Sequence, residues 1–163
     1  MSWQLRVATT ADLARIMELE TGTFGTDAWS SDAMLSDLRN PQCYYLVADS
    51  GGFPGELGGY AGLFAPKGAQ EGDIQTIAVA ESARRAGLGR ALMNALISVA
   101  RARGAAEVFL EVRADNPGPK RLYEALGFTE IATRIAYYQP DGVDAIVMRL
   151  AVPDPVTSLA VGQ

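Results

Sequence analysis

Apolar residues recur along the chain at two spacings, every second residue or every third to fourth. The changes between these spacings mark out the elements. Gln4–Ala8 reads as a short first strand. Thr9 and Asp12 make a capping-box-like start, and Leu13, Ile16 and Met17 continue it as a helical stripe. Thr21–Ser30 is predicted as a loop carrying Phe24 and Trp29. Ser31 begins a second helix, with Met34, Leu35 and Leu38 on one face, which stops before Pro41. Cys43–Ala48 is a strand candidate rich in aromatic and aliphatic side chains, and Asp49–Glu56, with three glycines and a proline, is a hairpin-type loop. Leu57–Ala65 and Asp73–Ala80 are the next two strands. Leu88, Ala91, Leu92, Ala95, Leu96 and Val99 then recur at helical spacing, the strongest helix pattern in the chain, with Gly104 beyond its end. Glu107–Arg113 is a strand, Pro119–Leu126 a short helix ending at Gly127, and Phe128–Tyr138 with Asp144–Leu150 a final hairpin around Pro140-Asp141-Gly142.

The order β-αα-βββ-α-β-α-ββ is that of an α+β sheet with helices on both faces. At 163 residues the chain fits one domain, assigned to residues 1–150. Such a chain buries roughly 68–70% of its extended surface, enough for a core without staples. Residues 151–163 carry Pro153 and Pro155 and no periodicity, which predicts a flexible C-terminal tail.

Composition removes several chemistries. With no histidine there is no Ser-His-Asp or Cys-His triad, no His metal ligand and no imidazole base. One cysteine allows no internal disulfide and no cysteine-based zinc site, which fits a reducing compartment. Cys43 lies early in a strand and reads as core. The net charge of −5 argues against sustained nucleic-acid binding and favours basic acceptors. No apolar stretch approaches the length of a membrane span, and Met1–Arg6 does not read as a signal peptide. The expectation is a cytoplasmic protein with no membrane partner.

Three places carry candidate chemistry. Arg84-Arg85-Ala86-Gly87-Leu88-Gly89-Arg90 stands between a strand and the long helix. A helix N-terminus presents unsatisfied N–H groups, and glycines let that backbone approach a phosphate closely. The segment lacks the Gly-Lys-Ser/Thr of a Walker loop and the third glycine of a dinucleotide fingerprint, and taken alone it reads equally as a glycine turn beside a solvated arginine pair. In Val108–Arg113, alternation sets Val108, Leu110 and Val112 on one face and Phe109, Glu111 and Arg113 on the other. Glu111 is then either a solvated carboxylate paired with Arg113, or a carboxylate desolvated by helices covering that face and raised toward general-base values. Asn116 suits a cap or an Asx turn, and Tyr123 a half-buried aromatic with its hydroxyl at the surface.

Together these segments resemble the GNAT superfamily of acyl-CoA-dependent N-acetyltransferases over about residues 3–150. Arg84-x-x-Gly87-x-Gly89 resembles the family's pyrophosphate loop, and Ile77-Ala78-Val79 its strand that pairs with the pantetheine arm. Asn116 and Leu122-Tyr123-Glu124-x-Leu126-Gly127-Phe128 resemble its last signature region. The resemblance implies the GNAT (acyl-CoA N-acyltransferase) fold, a mixed, mostly antiparallel seven-stranded sheet flanked by four helices. It also implies acetyl-CoA as cosubstrate and no metal.

A narrower resemblance is to the RimI-type N-terminal acetyltransferases, which acetylate the N-terminal alanine of ribosomal protein S18. It is carried by Phe24-x-x-x-x-Trp29-Ser30, by Leu110-Glu111-Val112-Arg113-x-x-Asn116, and by Tyr137-Tyr138 followed by Asp144-Ala145-Ile146-Val147-Met148. By this match Glu111 falls on the general base and Tyr123 on the general acid. Ile77, Ala78, Val79, Arg85, Ala86, Gly87, Leu88, Gly89, Arg90 and Asn116 fall on acetyl-CoA contacts. Phe24, Trp29, Tyr137 and Tyr138 fall on the acceptor side. Glu81 stands where the family often has proline, and Pro117 and Pro119 where small residues are usual. Two alternatives stay open: acetylation of a small-molecule amine, and a non-catalytic acyl-CoA-binding module.

Overall fold

The computed structural model describes residues 3–52, 55–84 and 86–152. The strands are β1 (Gln4–Val7), β2 (Cys43–Asp49), β3 (Leu57–Phe64), β4 (Glu71–Val79), β5 (Glu107–Arg113), β6 (Thr129–Tyr138) and β7 (Val143–Ala151). The helices are α1 (Leu13–Phe24), α2 (Ser31–Arg39), α3 (Leu88–Ala102) and α4 (Pro117–Ala125). The strands form one sheet in the order β1-β2-β3-β4-β5-β7-β6. Every neighbouring pair is antiparallel except β4 and β5, which are parallel. This is the expected mixed seven-stranded sheet with four helices. Among the described residues no helix is long and apolar enough to cross a membrane.

Two layers of core explain the helix patterns. Leu88, Leu92, Met93, Leu96, Ile97 and Ala100 form the buried stripe of α3, and it packs with Leu63, Val108, Leu110 and Met148 on one face of the sheet. On the other face Ile16 of α1 and Met34 of α2 pack with Tyr45, Val47 and Tyr60. β2 is covered on both sides, so its run of apolar residues needs no polar alternation. Gly62 is required by this packing. A Cβ there would stand 2.2 Å from Cζ of Tyr45, whose ring lies against β3 and whose hydroxyl donates to Asp37 at 2.6 Å.

Several boundaries differ from the sequence reading. Thr21–Phe24 is helix rather than loop, because Leu19 and Phe24 pack against the second cluster. That packing offsets the cost of about 1 kcal/mol for Gly22 inside a helix. The helix stops at Gly25, which has φ +55. α4 starts at Pro117, so both prolines fall in its first turn, where no N–H is needed. β4 starts two residues earlier than expected, at Glu71. The first residue of the expected tail, Ala151, closes β7, and Val152 donates its N–H to the Ala106 carbonyl. The rest of the tail lies outside the described residues.

The expected capping residue Asp12 does more than cap. It is 2 % exposed, accepts the Thr9 N–H at 2.8 Å, and pairs with Arg6 and Arg15. The hydrogen bond from Arg6 leads the contacts that hold its carboxyl below the usual carboxylate range, against the opposing effect of burial. A folded value below the unfolded one stabilises the fold above about pH 4, and that contribution falls away as pH drops through the folded value. Asp12→Asn is therefore expected to destabilise the protein by about 1–2 kcal/mol at neutral pH, because the arginines it leaves unpaired are more than a third exposed and turn to water. The deficit should shrink in acid. Urea unfolding at pH 7 and pH 3 measures both, and an equal deficit at the two pH values would remove the charge from the explanation.

Candidate active site

The site begins with a fault in the sheet. β4 pairs with β5 only from Glu71–Glu107 to Asp73–Phe109. Beyond that, β4 stays with β3 as far as Val79, and β5 stays with β7 as far as Arg113. The two parallel strands share a sheet at one end and part at the other. The cause is on β4: Leu63 pairs with Ile74 and Gly62 with Thr76, so Gln75 is an extra residue and forms a bulge. A bulge bends its strand and increases the local twist. It also switches faces. Ile74, Ile77 and Val79 all pack toward the α3 core, while Thr76 and Ala78 turn toward α1 and α2. Gln75 is steadied by Asp37, which accepts from its Nε2 at 3.3 Å.

A cleft of about 720 Å³ opens beside this fault. β4 contributes Glu71, Asp73 and Gln75, and β5 contributes Glu111. The α1–α2 loop contributes Asp27 and Trp29, and the β6 end contributes Arg134, Tyr137 and Tyr138. The two tyrosines meet edge to face, with centroids 5.2 Å apart. The lip they stand on leaves the regular ladder: β6 pairs with β7 at Arg134 and again only at Tyr138. Asp144 accepts the Ala136 N–H at 2.8 Å and steadies the lip.

Glu111 points to the face expected from alternation, but that face is covered by a loop and a hairpin rather than by helices. Its side chain keeps 30 % of its surface exposed and pairs with Nε of Arg134 at 3.1 Å. Arg113, the partner two residues on that the sequence offers, is taken elsewhere. It bonds Asp27 at 2.5 Å, Asp115 at 3.0 Å and Asp141 at 3.1 Å, and it sits over the Tyr138 ring. Arg113 thus ties the α1–α2 loop, the turn before α4 and the β6–β7 hairpin together around the cleft. The lining is acidic. Asp73 is held above the usual carboxylate range by burial and then by Glu71 and Glu111. Burial and Glu111 also push the Tyr138 phenol up to about 12.

Tyr123 is buried on α4, with its ring edge-to-face to Phe128. Burial, then Tyr138, pushes its phenol up to about 12. Among the described residues no group hydrogen-bonds its hydroxyl. Asn116 is the residue before α4, and its exposed side chain makes no cap bond, so among the described residues its amide is uncommitted.

At the other end of the parted strands, β4 runs into the start of α3. Ile77, Ala78 and Val79 form the last stretch of β4, with one edge paired to β3 and the other facing the gap. Gly87 caps α3 in the left-handed region at φ +74, and among the described residues no side-chain cap bond closes the helix start. Ala86 and Arg90 are exposed, Leu88 anchors the turn in the core, and Gly89 lets α3 pass close to Leu122. Arg84 donates to the Val79 carbonyl at 3.3 Å and joins loop to strand. Arg85 lies outside the described residues.

Glu111, Trp29, Tyr137 and Tyr138 are therefore brought into one cleft. Phe24 is not: it packs in the α1–α2 core. Cys43 also packs there, and burial pushes its thiol up to about 11. Asp27, Asp73, Gln75 and Arg134 belong to the cleft and carry no sequence signal of their own, and Arg113, which the sequence offers only as a partner for Glu111, frames it. One signal was present: apolar residues at 74, 77 and 79 change parity, as a bulge requires.

The family model of the acetyltransferase (GNAT) family matches residues 13–128. N-alpha-acetyltransferase RimI of Mycobacterium tuberculosis is 37% identical over 150 residues, spanning 90% of this chain and 91% of that protein. The crystal structure of the ribosomal-protein-S18-alanine N-acetyltransferase from Escherichia coli superposes with a TM-score of 0.81 at 32% identity, covering 92% of this chain and 94% of that one. Arabidopsis thaliana NAA60 in complex with acetyl-CoA shares the fold, with a TM-score of 0.82 at 18% identity over 93% of this chain and 99% of that one.

Proposed function

The chain belongs to the GNAT acetyltransferase family and is an N-acetyltransferase, and from that premise we propose that it acetylates the α-amino group of a protein N-terminus, the N-terminal alanine of ribosomal protein S18 above all. The observation that carries the reading is the placement of Glu111 on the wall of the parted strands, facing Trp29, Tyr137 and Tyr138 across one cleft. The named activity of the E. coli structural relative supports the S18 assignment. A cytoplasmic site of action follows from that substrate.

The chain's own features fit acetyl-CoA. The free edge of β4 at Ile77–Val79 offers backbone groups to an extended amide-bearing arm. The uncapped α3 N-terminus, with Gly87 in the left-handed region, suits a pyrophosphate, aided by Arg85 and Arg90. Asn116, with its amide uncommitted, completes the set. When bound, acetyl-CoA supplies an acyl group activated as a thioester.

Glu111 takes a proton from the acceptor amine. Only the neutral amine is nucleophilic. An α-amino group of pKa near 8 is about 10% neutral at pH 7, a penalty of about 1.4 kcal/mol, whereas a lysine near 10.4 costs about 4.6 kcal/mol. A partly solvated carboxylate suits the first task better than the second. The acidic lining attracts the incoming ammonium, and Arg134, 57 % exposed on the irregular lip, is the group it displaces from Glu111. A backbone N–H near Val79 stabilises the carbonyl oxygen as charge develops there. Tyr123 hydrogen-bonds the departing sulfur. Because its phenol lies above a thiol of pKa near 8.5, complete transfer of its proton to a free thiolate is uphill, so the bond assists departure as the C–S bond breaks.

Mass spectrometry of a peptide panel tests the reading. The panel holds the S18 N-terminal peptide, the same peptide N-terminally blocked with lysines free, unrelated N-termini, and spermidine, each with enzyme and acetyl-CoA. Selective acetylation of the free alanine terminus is the expected result. Acetylation of several N-termini would replace S18 with a wider range, and acetylation of spermidine alone would favour a small-amine acetyltransferase.

A further inference from the structure

Glu20 is the carboxylate that the chemistry above does not use. It stands on α1, is 1 % exposed, and is held by two hydroxyls and a backbone N–H rather than by a cation. Burying a carboxylate is costly unless its lone pairs are filled, and an apolar residue would serve packing at least as well. Packing therefore does not explain a Glu at this position.

Its partners do. The Tyr60 hydroxyl donates to Oε1 from β3, and the Thr76 hydroxyl donates to the same oxygen at 2.9 Å from β4. Burial and then the neighbouring carboxylate drive the Tyr60 phenol well above its ordinary value, so it remains a donor. The second oxygen, Oε2, accepts the backbone N–H of Trp29 at 2.9 Å. Thr76 is the residue after the Gln75 bulge, where β4 leaves β5. Trp29 is the aromatic side chain that the α1–α2 loop gives to the cleft. One buried carboxylate thus joins the point where the sheet parts to the loop that faces the parting. Asp27 ties the same loop to Arg113, in partial contact with solvent.

We propose that Glu20 is a positioning residue for the acceptor: by accepting the Trp29 N–H from a site anchored on β3 and β4, it fixes the α1–α2 loop over the opening where the amine is received. It acts through Trp29 and touches no reacting atom. The proposal rests on the reading of the cleft as the acceptor site.

The test uses steady-state kinetics and Trp29 emission in a Trp3→Phe background, which leaves Trp29 as the single tryptophan. Glu20→Leu fills the space but removes the acceptor for the Trp29 N–H. Its expected effect is a tenfold or greater rise in KM for the acceptor peptide, KM for acetyl-CoA within twofold, and a red shift of Trp29 emission. Glu20→Gln should rescue all three, because its amide oxygen can face Trp29 while its NH₂ faces two hydroxyls that are able to accept. Equal rises in both KM values would mean general loosening and overturn the proposal. An emission shift with an unchanged peptide KM would overturn the acceptor role of the loop itself. Unchanged emission and KM would overturn the role of Glu20 and leave the cleft reading standing. Should Glu20→Leu fail to fold, hydrogen exchange on the wild-type chain decides: a Trp29 amide protected like the core strands supports the tie, and one exchanging like an open loop overturns it.

Discussion

Glu111→Gln is expected to lower kcat by about 10²–10⁴, the span of a positioned general base, while acetyl-CoA binding by calorimetry stays within twofold. The substitution keeps the size and shape of the side chain and removes the proton acceptor. Its structural cost is small, since Glu111 is part-exposed and its partner Arg134 is more exposed still, free to turn to water. The core face of β5, made by Val108, Leu110 and Val112, is not touched. A lost rate in a folded, cofactor-binding variant therefore reports on proton removal from the amine. Turnover unchanged across the pH range would end the assignment of Glu111 as base. The same variant given a peptide at high pH, where the amine is already neutral, should recover part of the loss, because less base catalysis is then required.

Tyr123→Phe is expected to lower kcat by about 10²-fold, the low end for an acid group, since full proton transfer from a phenol near 12 to a thiolate near 8.5 is uphill by about 5 kcal/mol. The ring stays, with its edge-to-face contact to Phe128. No described partner of the hydroxyl is orphaned, so the thermal midpoint should move by only a few degrees. The sign of the pH behaviour follows from the direction of the shift. The phenol is pushed up to about 12, so it is protonated throughout the assay range and contributes no alkaline limb to the kcat profile below about pH 10. A wild-type kcat in the variant would remove Tyr123 from the mechanism. A limb near pH 8 to 9 that vanishes in the variant would show that the hydroxyl ionises in the working enzyme.

Much of this site was legible as local pattern. The stripe Leu88, Leu92 and Leu96 buries as the period of α3 requires, and the left-handed cap at Gly87 is the conformation a glycine at that point permits. Strand alternation placed Glu111 on the face opposite Val108 and Leu110. The same local rules misplaced the end of α1, because Gly22 and Thr23 speak for a loop while Phe24 earns its helical turn from a partner cluster distant in sequence. They also offered Glu111 only Arg113, the cation nearest in sequence, as a partner, and no local rule offers Arg134.

Sequence by itself determined the order and type of the strands and helices, which face of most of them turns inward, and where an anion can meet a helix start. Those properties depend on residues a few positions apart, whose geometry is set by the backbone period. Only the tertiary structure decided that β4 parts from β5, that Arg134 rather than Arg113 pairs with Glu111, and that Glu20 accepts the Trp29 N–H. Arg113 and Asp27 are 86 residues apart, and Glu20 and Thr76 are 56. Contacts at such separations arise when packed layers bring distant groups together and shut out water. A buried carboxylate then takes whichever donors the fold presents to it, and those the order of residues does not name.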